Sequence, residues 1–119
     1  MRIIVAGSRG VQDEELIFSF LDKSFGKSID KIQYVINGMA KGPDTIGGKW
    51  GKARGINVKE MPADWDKYGK QAGYLRNVDM ANDATHCIIF WDGISPGSKH
   101  MLDIAIEKSL WVKLVKIHG

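Results

Sequence analysis

One cysteine, Cys87, is all the chain has, and it sits within the apolar run Cys87-Ile88-Ile89-Phe90-Trp91. A lone thiol closes no internal disulfide, so the fold has to rest on a packed core. The residue reads as a buried, reduced thiol of a cytoplasmic protein. The three prolines are too few for a proline-rich linker, and there is no repeat or low-complexity segment. No apolar run approaches the ~18 residues of a membrane span, so no membrane partner is expected. Met1 to Ala6 leads into what reads as a core strand, not a secretory leader. The positive excess is only +3. That suits a phosphate-bearing ligand but falls short of the dense basic face of nucleic-acid binders, so nucleic acid is not the expected partner.

Several catalytic and cofactor signatures are missing as well. Gly7-Ser8-Arg9-Gly10 is not the six-residue dinucleotide fingerprint. The run Gly42 to Lys49 has one residue too many for a phosphate-binding P-loop, and Trp50 stands where a magnesium-holding hydroxyl belongs. No Gly-x-Ser-x-Gly elbow exists, so Ser8 and Ser98 read as phosphate-binding or capping hydroxyls and not as nucleophiles. His86, His100 and His118 have no ligand spacing with one another or with Cys87, so no metal and no cofactor are expected.

What is present is an alternation of strand and helix. Ile3-Ile4-Val5-Ala6 is a β-branched run that stops at a small-residue loop, and Asp13-Glu14-Glu15 then opens a helix with Leu16, Ile17, Phe20 and Leu21 on one face. Gln33 to Ile36 is the second strand, ending in the turn-rich Asn37 to Asp44. The spacing predicts a helix after it, capped by Asp44, whose Gly47, Gly48 and Gly51 imply close backbone packing or a poorly formed helix. Ile56 to Met61 alternates as an edge strand does, and Pro62 to Asp66 reads as loop. One helix is expected over about 67–82 and a fourth strand over 86–91. A last helix, capped by Ser98, and a strand at Trp111 to Val115 complete the chain.

Five strands alternating with four helices predict a single α/β domain over 1–119. Its form is a Rossmann-like three-layer sandwich with a five-stranded, mostly parallel sheet in the order 3-2-1-4-5. In that order the first and fourth strands are neighbours whose connections leave to opposite faces, opening a crevice at their carboxyl ends. The loops expected to line it are Gly7 to Gly10, Asn37 to Asp44 and Asp92 to Lys99. These are also the glycine-rich ones. Arg9, between two glycines at a strand end, is placed for a bidentate phosphate grip. Gly38, Gly42 and Gly97 serve either simple turns or a close backbone approach to phosphate. Trp65, Tyr68 and Trp91 read as core or subunit-contact residues before base-stacking platforms. The tryptophan and tyrosine surplus, with the resemblance below, leads us to expect a homo-oligomer.

Taken in order, Ile4-Val5-Ala6-Gly7-Ser8-Arg9, Asn37 to Asp44, Pro62-Ala63-Asp64-Trp65, Gly69 to Gly73 with Arg76-Asn77-Val78-Asp79-Met80, and Phe90 to Gly93 with Ser95-Pro96-Gly97-Ser98 resemble the YspA-like branch of the SLOG superfamily. That superfamily of Rossmann-like domains also includes DprA and the "lonely guy" phosphoribohydrolases. The resemblance implies a nucleotide or nucleotide-derived ligand, a nucleoside phosphate or an ADP-ribose-like molecule, held in the crevice for sensing or sequestration. Its implied contacts are Gly7, Ser8, Arg9, Gly38, Ala40, Gly42, Asp44, Arg76, Asn77, Asp92, Pro96, Gly97 and Ser98. Hydrolysis of a nucleotide's N-glycosidic bond is the alternative, and single-stranded nucleic acid binding a weaker one. For hydrolysis, Arg76 matches the phosphoribohydrolase arginine, but Lys99-His100-Met101 follow Ser98 where the family's glutamate motif runs. Asp79, Asp44, Asp64 and Asp92 are the carboxylates left to replace it, and Arg76 with Asp79 is the pair carried forward.

Overall fold

The structure, a computed structural model, describes residues 1–117; His118, one of the three histidines weighed above, lies outside them. Strands β1 (Arg2–Gly7), β2 (Tyr34–Asn37), β3 (Val58–Glu60), β4 (His86–Trp91) and β5 (Trp111–Lys116) form one sheet in the order β3-β2-β1-β4-β5. Every pairing is parallel, with Ile4 opposite both Ile36 and Cys87 at the centre. The expected order is the observed one, and the edge position of β3 follows from it.

Alternation along β1 divides the core. Ile3 and Val5 join Ile88 and Phe90 of β4 on the face covered by helices α1 (Glu14–Phe25) and α2 (Pro43–Ala53). Ile4 and Ala6 join Cys87 and Ile89 on the opposite face. That face is covered by two further helices, at Ala72–Asp83 and Pro96–Glu107, through Met80, Ala81, Met101 and Ala105. The central strands are therefore buried on both sides, as a parallel sheet requires.

Helix α1 begins where Asp13 Oδ1 accepts the Leu16 amide at 3.1 Å, and Ile17, Leu21 and Phe25, spaced four apart, point to the sheet. Helix α2 carries three glycines that each place its backbone against a neighbour. A Cβ on Gly47 would lie 2.5 Å from Val5 Cβ, and one on Gly51 3.0 Å from Val58 Cγ2. The glycines weaken the helix intrinsically and are there because the sheet lies too close for anything larger. Trp50, fully buried beside them, keeps its indole N–H satisfied by Asp22 Oδ1 at 2.8 Å, and the same carboxylate binds Arg54.

Three local expectations are corrected. The helix-capping residue of α2 is Gly42, with Pro43 in the first helical position and Asp44 in the first turn. The expected single helix over 67–82 is two: α3 (Trp65–Tyr68), which begins inside the stretch read as loop, and α4 (Ala72–Asp83), joined by a 3-10 turn. Gly69, at φ 58°, ends α3 after one turn because it takes a conformation other residues avoid. The final helix, α5 (Pro96–Glu107), starts at Ser95 and Pro96, so Ser98 lies inside its first turn and does not cap it.

Candidate functional site

The carboxyl ends of β1 and β4 meet because Gly7 lets them. A Cβ there would stand 2.2 Å from the Phe90 carbonyl oxygen and 2.6 Å from the Pro43 ring. Past this point the Ser8 amide donates to the Phe90 carbonyl at 2.9 Å, and the buried Ser8 hydroxyl accepts the Asp92 amide at 3.1 Å. Ser8 Oγ also lies 3.4 Å from Ser98 Oγ in the first turn of α5. Two loops from opposite faces of the sheet are thereby tied side by side.

Between them opens a cavity of about 730 Å³, within the size range of small-molecule sites. Its polar end is walled by Gly7, Ser8 and Arg9 from the first loop and by Pro96, Gly97 and Ser98 from the last. Pro96 has no amide hydrogen, and the amides that follow it lie in the first turn of a helix, where N–H groups have no intrahelical acceptor and the dipole favours negative charge.

The deeper wall comes from Gly38, Ala40 and Asp44 on one side and from Arg76 and Asn77 of α4 on the other. Gly38 leaves room for both charges: a Cβ would meet Asp44 Oδ2 at 2.6 Å and Arg76 Nη1 at 2.8 Å. Arg76 donates through Nη1 to the Gly38 carbonyl and through Nε to Asn77 Oδ1 at 3.1 Å. Asn77 in turn donates to the Gly97 carbonyl at 3.4 Å and to His100 Nδ1 at 3.2 Å. Asn77 thus braces the guanidinium against the α5 loop. Burial lowers Arg76 while Asp44 opposes that shift, and neither moves an arginine from its charged form.

Asp44 is 4% exposed. Burial pushes its carboxyl up to about 7, against the pull of Arg76 and of nearby backbone amides, so near neutrality the group is divided between its two forms. It is also the sole acidic residue along the cavity wall among the described residues, whereas Arg9, Lys41, Lys70 and Arg76 all line it. The cavity is electropositive.

Eleven of the thirteen expected contacts come together here, and the other two take structural places. Gly42, buried at φ 87°, packs its backbone under the first loop, where a Cβ would meet the Ser8 carbonyl oxygen at 2.9 Å. Asp92 builds its own loop: its carboxylate accepts the Ile94 and Ser95 amides at 2.8 Å each and the Ser95 hydroxyl at 2.9 Å. Those bonds, the Ser95 amide foremost, hold it down at about 2. Asp79 is exposed on α4, does not line the cavity and makes no ion pair with Arg76. The pairing of Arg76 with Asp79 is therefore corrected, since the guanidinium turns inward to Gly38.

Lys41, Lys70, Tyr74 and Met39 line the cavity without having been singled out in the sequence. Helical spacing held a signal for part of this set: Lys70, Gly73, Tyr74 and Asn77 fall at i, i+3, i+4 and i+7, one stripe. Trp65, expected in the core or at a subunit contact, is 52% exposed and forms part of the cavity's outer wall.

Comparison with known proteins agrees with this architecture. The structure of DNA processing protein A (DprA) from Streptococcus pneumoniae superposes with a TM-score of 0.76 over 95% of this chain at 17% identity, a likeness of fold. The chain spans about half (49%) of that protein. The Gene 61 protein of Mycobacterium phage D29 is 33% identical over 107 residues, covering 85% of each chain. The model of the YspA, cpYpsA-related SLOG family matches residues 1–68, which carry Gly7 to Gly10, Gly38 to Asp44 and Trp65. With more than half its length matched, the chain belongs to the YspA, cpYpsA-related SLOG family.

Proposed function

We propose that this chain is a single SLOG-type domain that binds a nucleotide or nucleotide-derived anion at the β1/β4 crevice, for sensing or sequestration. One observation carries the reading: a cavity at the switch point of the sheet, lined by four cationic side chains against one carboxylate that is half neutral near pH 7. A phosphate at the Gly97-Ser98 turn gains helix N-terminal amides, the Ser8 and Ser98 hydroxyls and the reach of Arg9. The family supports the same ligand class, as does a Rossmann-like sheet whose known ligand crevice is this one.

The first experiment is denaturation of the purified protein and identification of any released small molecule by mass spectrometry. Calorimetric titration with nucleoside monophosphates and ADP-ribose follows, beside a single-stranded oligonucleotide as the arm that the name of the DprA structure suggests. Micromolar binding of a mononucleotide, lost in Arg76→Ala and kept in Asp79→Ala, is the expected outcome. Binding of the oligonucleotide alone, with strong salt dependence, refutes the reading.

A second reading has one observation in its favour. Asp44 titrates near 7, where a carboxyl can act as general acid or base, and it faces the same cavity as Arg76. N-glycosidic cleavage needs a carboxylate of this kind. Incubation with nucleoside monophosphates and chromatography for free base separates turnover from binding.

A further inference from the structure

The cavity has a second end of different chemistry. Met39, Trp65 and Tyr74 are large apolar side chains that remain 48%, 52% and 44% exposed, and all three line it from separate elements. Met39 comes from the β2 loop, Trp65 from the single turn of α3, and Tyr74 from the first turn of α4. Exposed large apolar side chains scattered over a surface need no explanation, but three converging on one concavity do.

Their placement is built. The Asp64 carboxylate caps α3 by accepting the Lys67 amide at 3.1 Å, and Gly69 ends that helix one turn later. The turn sets the Trp65 indole against α4 at Gly73, where a Cβ would touch its ring at 3.4 Å. Tyr74 stands edge-on to His100, ring centres 4.6 Å apart, and His100 accepts from Asn77. Met39 is held at φ 66°, uncommon for a residue with a side chain, by its amide donating to Asn37 Oδ1 at 2.8 Å.

From Gly73, beneath the indole, to Asn77, against the Gly97 loop, is four residues of α4, or about 6 Å of helix rise. The aromatic wall and the anion-binding turn are therefore separate parts of one cavity. A ligand without a planar ring to stack, such as inorganic phosphate or a sugar phosphate, would use only one of them.

We infer that Trp65, flanked by Met39 and Tyr74, is the stacking platform for the base of the bound nucleotide, so that the ligand must carry a planar heterocycle as well as a phosphate. This rests on the nucleotide-binding reading above. Stacking of a base on an aromatic face tolerates every base, so the platform sets ligand class and leaves base identity to other contacts.

The test uses the whole chain and compares AMP, GMP, CMP, UMP and ADP-ribose with ribose 5-phosphate. Trp65→Ala is expected to weaken the tightest-binding nucleotide roughly 5- to 100-fold and leave ribose 5-phosphate unchanged, while Trp65→Phe keeps most of the affinity. Nucleotide addition should quench tryptophan emission in the wild type and not in Trp65→Phe. The indole is half exposed, so the thermal midpoint of Trp65→Phe should stay near the wild-type value and separate lost stacking from lost folding. Nucleotide binding that is equal in wild type and Trp65→Ala overturns this inference and leaves the nucleotide reading standing. Failure of every nucleotide to bind the wild type overturns both.

Discussion

Asp44→Asn should make the ligand-free protein more stable at pH 8 and leave it nearly unchanged at pH 4. The carboxyl binds its proton in the native state up to about 7, against 3.8 as its ordinary value. The native state therefore holds a proton that the unfolded state has lost, and stability falls as pH rises between those two values. The slope there is about 1.4 kcal/mol per pH unit, and the full cost, present above pH 7, is on the order of 4 kcal/mol. A protonated carboxyl and an amide are close in size, so below pH 4 the variant loses little. Other groups titrate in the same range: burial lowers His86 and His100, which add stability as pH rises toward 6.5. Asp22 and Asp83, both lowered, contribute above their ordinary values and lose that contribution only in stronger acid. The difference between wild-type and Asp44→Asn unfolding energies removes all of these. Urea denaturation at half-unit steps from pH 4 to 8 gives that difference directly. A flat difference, or a variant less stable at pH 8, would show that Asp44 is ionised and well paired throughout, and the account of a half-neutral cavity would fall.

The remaining predictions concern the frame that holds the cavity. Gly47→Ala gains helix propensity of about 1 kcal/mol, yet its new methyl would lie 2.5 Å from Val5 Cβ. Overpacking costs about 1–3 kcal/mol and, with three Val5 carbons inside 3 Å, should outweigh that gain, for a net destabilisation of up to about 2 kcal/mol read by urea or thermal melting; a more stable variant would mean that α2 can lift off the sheet. Cys87 is fully buried and its thiol is pushed far up by burial, so in native buffer it should resist a thiol-labelling reagent. Labelling should follow global unfolding in denaturant, and rapid native-state modification would contradict the packing around β4.

Much of the frame was legible because β1 and β4 carry unbroken apolar runs that stop at turn residues, Gly7-Ser8 and Asp92-Gly93, and because their order of appearance admits few topologies. The glycines of α2 were legible as close packing for the same kind of reason, since a helix rarely tolerates three of them without a neighbour that excludes side chains. Gly69 was not legible as a break. A glycine between Tyr68 and Lys70 is tolerable inside a helix, and only the seating of Trp65 on Gly73 decides against it. Asp44 misled in another way. Aspartate beside a turn is ordinarily a cap in water, and nothing local says that Gly38 will leave a buried slot for its carboxylate. Pro43 was the overlooked sign, because proline favours the first helical position and moves the cap back to Gly42.

The boundary of the family match runs through the cavity. Residues 1–68 contain the Gly7 to Gly10 loop, the Gly38 turn, Asp44 and Trp65, whereas Arg76, Asn77 and the Gly97-Ser98 turn lie beyond them. Besides the β1–β4 pairing and the shared core, polar links join the halves at the cavity: Ser8 to Asp92 and Ser98, and Arg76 to Gly38. Each of these links has one partner, Ser8 or Gly38, on a loop that lines the cavity. Both halves contribute to the cavity: the first supplies Arg9 and Lys41, and the second brings Lys70, the Arg76 guanidinium and the α5 N-terminus. The ligand proposed above, seated across both, would rest on the same links that shape its site.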